Sequence, residues 1–208
     1  LKILFHFIES GEPDLHMKLL ILSNILFFFL TLFYGCAQRH TIVIDPDLPI
    51  TPRETAQFTP IGLRVDDSRA TNIIARWNGS LNIRKFTISP DRDIREPIHS
   101  KIKQGLQMLG FHVKPLREGI LPLLRVEILS LKSSYSGQIP HLNIRVQSAF
   151  RVSCKSQSQT YKKIYTDKRE RRRVLPSSFP NESLVNSSFS SIFRKIFTDG
   201  KLLDCLAN

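Results

Sequence analysis

The sequence predicts an α+β domain, a mostly antiparallel sheet with two amphipathic helices packed on one face, preceded by a signal peptide and a tether. Three observations carry this. Residues 141–154 alternate apolar and polar without a break, which is the pattern of a half-buried strand. Residues 91–109 place Ile94, Ile98, Ile102, Leu106 and Leu109 on one helical stripe. Residues 181–206 repeat the helical period with Leu184, Val185, Ser188, Phe189, Ile192, Phe193, Ile196 and Phe197.

In chain order, the first apolar feature is residues 19–34, sixteen residues without a charge. A bilayer-spanning helix needs about 20, so the run matches a signal-peptide core better. Lys18 supplies the positive charge ahead of it. Residues 1–16 carry Glu9, Glu12 and Asp14, which do not suit a signal peptide, so Met17 is the expected start and 17–35 the expected signal. The run ends in Phe33-Tyr34-Gly35-Cys36, a lipobox-like ending with a small residue before a cysteine. Cleavage after Gly35 and acylation of Cys36 are therefore expected; three acyl chains exceed the two lipid signals that a stable anchor needs. Ala37, rather than Asp, after the cysteine points to the outer membrane. Residues 36–60 hold Pro46, Pro49, Pro52 and Pro60 and read as a semi-rigid tether.

The domain itself is expected over 61–208. Ile61, Leu63 and Val65 alternate in a first strand. Strands near 72–77 and 81–89 flank Asn78-Gly79, a strong hairpin signal. The helix of 91–109 has Asp91 or Asp93 as cap, Pro97 in its first turn and Gly110 as its stop. Residues 111–113 resume an extended pattern. Two long strands follow at 121–132, with Leu124, Val126, Ile128 and Ser130 on one face, and at 141–154. A third covers 159–168. The last helix starts after Pro180 and is interrupted or ended at Gly200.

This order resembles the YajG-type uncharacterised bacterial lipoproteins: a lipobox, a proline tether, IGLRVDDSR, the amphipathic RDIREPIHSKIKQGLQMLGFHV, two long strands, a basic strand and a terminal amphipathic helix. The resemblance implies an outer-membrane lipoprotein of proteobacteria without an assigned activity, and supplies no catalytic residues.

Charge is the unusual feature of the composition. Thirty Lys+Arg against 18 Asp+Glu give +12. Removing 1–35 takes away two lysines and three acids, so the exported chain stands at +13. The densest cluster, KKIYTDKRERRR, presents Lys162, Lys163, Lys168, Arg169, Arg171, Arg172 and Arg173. Two readings compete: a contact for an anionic partner such as an envelope protein, peptidoglycan or lipopolysaccharide, or a solvated edge strand whose charge blocks edge pairing. An exported chain meets little nucleic acid, so no nucleic-acid partner is expected. A membrane-anchored basic protein binding nucleic acid or another intracellular polyanion is the alternative, and a peptidoglycan-acting enzyme a weaker one.

No cofactor, metal or catalytic residue is expected. No CxxC or HxxxH spacing occurs, and no GxSxG, P-loop or GxGxxG. His40, His99, His112 and His141 lack neighbours suited to acid–base work, and Asp66-Asp67 read as a strand-end turn. With Cys36 acylated, Cys154 and Cys205 remain, either as a disulfide in an oxidising compartment or as two buried thiols.

Overall fold

Every second residue of the longest strands is apolar, and the structure turns that alternation into a sheet with one dry face. The computed structural model describes residues 38–52, 59–78, 85–115, 119–136, 141–174 and 181–208, together with Ser23 and Asn24. The rest of the expected signal segment, Gly35 included, and Cys36 lie outside the described residues.

The strands are β1 (Gln38–Ile42), β2 (Pro60–Asp67), β3 (Ala75–Asn78), β4 (Lys85–Pro90), β5 (His112–Lys114), β6 (Leu123–Ser136), β7 (His141–Lys155) and β8 (Thr160–Val174). The helices are α1 (Arg95–Met108), α2 (Asn181–Phe197) and α3 (Gly200–Ala207). They form an α+β unit running from Gln38 to Asn208. One sheet has the order β5-β2-β6-β7-β8 and a smaller one the order β1-β4-β3. Antiparallel pairing holds the long β6–β7–β8 meander, whereas β2 lies parallel to both β5 and β6 and β1 parallel to β4.

The dry face of the large sheet carries Leu124, Val126, Ile128, Ile144, Val146, Phe150 and Val152, all buried. The helices cover it: α1 lies against β2 and β5, and α2 and α3 lie against β7 and β8. Phe150 meets Phe189 and Phe193 of α2 at centroid distances of 5.0 and 6.2 Å. Where α1 approaches α2 there is no room for a side chain, because a Cβ on Gly105 would overlap the Phe197 ring.

Several details depart from the sequence reading. The proline-bearing stretch is not all tether, since folded structure begins at Gln38. Ile42 and Ile44 are buried in the common core, with Leu48 and Ile50 packed on it. Val43 N donates to Glu182 Oε2 at 2.9 Å and Asp45 N to Asn186 Oδ1 at 3.0 Å, docking the segment after β1 on α2. The apolar alternation of Ile42 and Ile44 has the strand period, and it outweighs the prolines that follow it. The register sets Asn78 opposite Lys85, so the β3–β4 connection is longer than a two-residue Asn-Gly turn. Residues 79–84 of that connection lie outside the described residues.

In β6 a register shift between Ile128 and Ser130 exchanges the faces, putting Leu131 rather than Ser130 in the core. A bulge of this kind inserts one unpaired residue and reverses side-chain parity beyond it. The basic strand runs to Val174, further than its apolar content indicates, because β7 supplies a backbone partner for every residue of it. The last helical region divides at Asp199, whose Oδ1 accepts from Leu202 N at 3.4 Å and caps α3.

Candidate functional site: the uncovered basic face of the large sheet

The two faces of the large sheet differ in kind. Helices cover the inner face, and no described element covers the outer one. β7 turns Asn143, Arg145, Gln147, Arg151, Ser153 and Lys155 outward, and β8 does the same with Lys162, Ile164, Thr166, Lys168, Glu170 and Arg172. β6 and β2 extend the surface with Arg125, Glu127 and Lys132, and with Arg64 and Asp66. Among the described residues these four strands therefore set nine bases and three acids on one solvated face.

All three acids are consumed locally. Asp66 accepts from Arg125 Nε at 2.7 Å and Arg64 Nε at 3.0 Å. Glu127 pairs with Arg125 and Arg151 at 3.2 and 3.1 Å, and Glu170 with Arg145 at 3.3 Å. Burial alone would raise the Asp66 carboxyl, but hydrogen bonds from Arg125 and Arg64 outweigh it and hold it below the usual carboxylate range. Lys132, Lys155, Lys162, Lys168 and Arg172 are left exposed with no acid partner among the described residues. Lys132, Gln147 and Lys168 form one transverse row and Arg64, Arg125, Ser153 and Lys162 another, so positive charge repeats across neighbouring strands. Chemically such a surface can attract and hold extended anions.

The seven basic residues singled out in the sequence do not act as one cluster. Strand parity separates them. Lys162, Lys168 and Arg172 face outward on the uncovered side. Lys163 and Arg169 lie on the helix side and are already engaged: Lys163 Nζ contacts Asp199 Oδ2 at 2.5 Å, and Arg169 Nε contacts Asp167 Oδ2 at 2.8 Å. Arg171 Nη1 reaches Ser183 Oγ at 3.5 Å. The side chain of Arg173 lies outside the described residues. What the sequence reading missed is the contribution of β2, β6 and β7, whose arginines join this face only through pairing. The alternation of Arg145 and Arg151 with buried Ile144, Val146, Phe150 and Val152 was the available signal.

Asp199 is the other charged centre. Its Oδ2 accepts from Tyr161 Oη at 3.0 Å, Tyr165 Oη at 2.9 Å and Lys163. Burial pushes this carboxyl upward, but those three donors prevail and bring it down to about 2. Tyr165 moves the other way, well above the usual phenol range, through burial and its bond to Asp199. Both groups thus stay in one protonation state near neutral pH, which suits a structural clamp and not a proton shuttle.

The remaining candidates are dispersed. Asp66 and Asp67 point to different partners, Asp67 holding Arg69 through Nε and Nη2 at 2.8 Å each. His40 packs edge-on against Phe86, His99 is half-buried on α1, and His112 and His141 lie in β5 and β7. Burial, then Lys103, lowers the His99 imidazole. Cys154 and Cys205 are joined as a disulfide with Cα atoms 6.3 Å apart, linking β7 to α3. Among the described residues, no group of three or more His, Cys, Asp or Glu could hold a metal.

The model of one family, Lipoprotein_16, described as uncharacterised lipoproteins, matches residues 46–207. The chain belongs to that family, the YajG-type lipoproteins. Lipoproteins of this kind are envelope proteins held at a membrane, and among the described residues no helix is long and apolar enough to cross one. No curated protein matches the chain. Among solved structures it is similar to an uncharacterised protein at 14% identity and a TM-score of 0.41, covering 76% of this chain and 97% of that one. It is also similar to a putative neuraminyllactose-binding hemagglutinin homologue from Helicobacter pylori, at 10% identity and a TM-score of 0.38, covering 77% and 97%. A third similarity is to lipoprotein GNA1162 from Neisseria meningitidis, at 12% identity and a TM-score of 0.33, covering 66% and 97%.

Proposed function

We propose that this lipoprotein is non-enzymatic, anchored to the outer membrane through acylated Cys36 with its domain in the periplasm, and binds an anionic envelope component through the uncovered sheet face. The carrying observation is the surplus of unpaired cations on that face: Lys132, Lys155, Lys162, Lys168 and Arg172 remain after every acid there has been paired. An array of this sort complements a polymer or sugar-phosphate surface carrying carboxylates or phosphates. Family membership supports the lipid anchor, and the lipobox-like Gly35-Cys36 is the residue-level reason for it.

Two measurements test the reading. Metabolic palmitate labelling of the wild type is expected to disappear in Cys36→Ser; equal label in both, or none in the wild type, removes the anchor. Binding of the full chain to purified lipopolysaccharide and to sacculi is expected to be salt-sensitive. It should fall roughly tenfold or more in the triple variant Lys162→Glu, Lys168→Glu, Arg172→Glu, at about 1 kcal/mol per basic residue near an anionic surface. Unchanged binding to both would assign the face to solvent.

A further inference from the structure

We infer that the outward face of the small β1-β4-β3 sheet lies against the anionic phospholipid headgroups of the membrane that holds the lipid anchor. The inference rests on acylation of Cys36 and adds which end of the domain the anchor presents to the bilayer.

Chain length makes the first argument. β1 begins at Gln38, two residues after Cys36. Two extended residues reach about 7 Å at most, so an acylated Cys36 leaves the domain no freedom to stand away from the surface. The prolines expected to lift it come after β1 has already joined the fold.

The second argument is what surrounds Gln38. It pairs with Phe86 of β4, which in turn faces Trp77 of β3. The neighbouring row is Arg39, Thr87 and Arg76, and both arginines are exposed. Parity puts this row on the side opposite buried Phe86 and Ile88, and with it lie Thr41, Ser89 and Val43, the last 45% exposed. Among the described residues two cations, three hydroxyls and one exposed aliphatic side chain share this side, with the Glu182 carboxylate held by the Val43 amide at its end, a composition that suits a phosphate-bearing headgroup layer. Behind the row, Trp77 stacks on Phe86 at 6.3 Å and meets Tyr135 edge-on at 5.4 Å.

Trp77 is the chain's only tryptophan and so reports on this sheet by itself. The full chain is purified from membranes, its lipid verified by mass, and reconstituted into vesicles of phosphatidylethanolamine with phosphatidylglycerol, or with phosphatidylcholine in its place. A headgroup-borne quencher is expected to quench Trp77 in the phosphatidylglycerol vesicles, and salt to weaken the effect. In Arg39→Glu, Arg76→Glu the quenching is expected to drop to the phosphatidylcholine level, whereas Lys162→Glu, Lys168→Glu retains it. A lipid-bearing wild type with unquenched Trp77, or equal quenching in the Arg39, Arg76 variant, overturns the orientation and leaves the lipoprotein reading standing. A wild type without lipid overturns both. Unchanged far-ultraviolet circular dichroism in each variant separates loss of contact from loss of fold.

Discussion

Lys163 Nζ lies 2.5 Å from Asp199 Oδ2, so the last strand of the sheet is tied to the residue that caps the last helix. Tyr161 and Tyr165 bond the same oxygen, and the carboxylate gathers three donors from alternate positions of one strand. This is where strand parity turns part of a basic segment into an internal fastening. It also gives a pH dependence with a definite sign. Asp199 has its carboxyl depressed to about 2, so it adds stability above the unfolded value near 3.8 and loses it as pH falls through about 2. The contribution is about 1–2 kcal/mol, less than the full shift because solvent reaches one side. Asp199→Asn, which keeps the capping ability but not the charge, should be destabilised by that amount at pH 7 and differ little from wild type near pH 2. Denaturant unfolding at the two pH values measures it.

The Cys154–Cys205 disulfide spans 51 residues and both sulfurs are buried. It constrains the unfolded chain over β8 and α2 and holds α3 on β7. Reduction, or Cys154→Ser with Cys205→Ser, is expected to cost about 2–4 kcal/mol. Thermal unfolding with and without reductant should show the difference in wild type and none in the double variant.

Gly105 sits mid-helix, where alanine ordinarily gains about 1 kcal/mol. Here the added methyl overlaps the buried Phe197 ring, and overpacking of this sort costs about 1–3 kcal/mol. Gly105→Ala is therefore expected to be neutral to destabilising, and Gly105→Val clearly destabilising. Smaller Phe197→Leu should partly rescue Gly105→Ala. Additive effects in that double-mutant cycle would show that the two sites do not touch.

Asn181 is fully buried at the start of α2. Its Oδ1 accepts from Ser133 Oγ at 2.7 Å, and its Nδ2 donates to the Tyr135 hydroxyl. Burial pushes the Tyr135 phenol up to about 12, so it stays neutral and able to accept. Asn181→Ala removes a partner from the buried Ser133 hydroxyl and the half-buried Tyr135 hydroxyl, at about 1–3 kcal/mol for the buried one. Chemical denaturation should register a loss of about 2 kcal/mol, and Asn181→Asp at pH 7 a loss as well, because it buries a carboxylate charge that only two neutral hydroxyls face.

Much of this architecture is legible locally. The inward row from Ile144 to Cys154 follows from period-two alternation, and α1 and α2 follow from their apolar stripes with Gly110, at a φ of 86°, ending the first. Such features depend on residues a few positions apart, and nearby sequence contains them. Ser130 shows the limit: its face depends on a bulge, which arises only when β6 is matched against β7. Residues 38–50 show another, since whether Ile42 and Ile44 leave solvent depends on α2 and β4, which lie elsewhere in the chain.

The α+β class, the amphipathic helices, the long alternating strands and the excess of positive charge are all readable from composition and short-range period. Which cations stay without an acid partner depends on long-range pairing. Pairing across β2, β6, β7 and β8 assembled arginines far apart in sequence into one uncovered face, while parity sent Lys163 and Arg169 inward to Asp199 and Asp167. The tertiary structure also decided that β1 joins the fold two residues after Cys36. The physical reason is the same in each case. A side chain's availability is set by the register of its strand and by what packs on that face, and both are long-range.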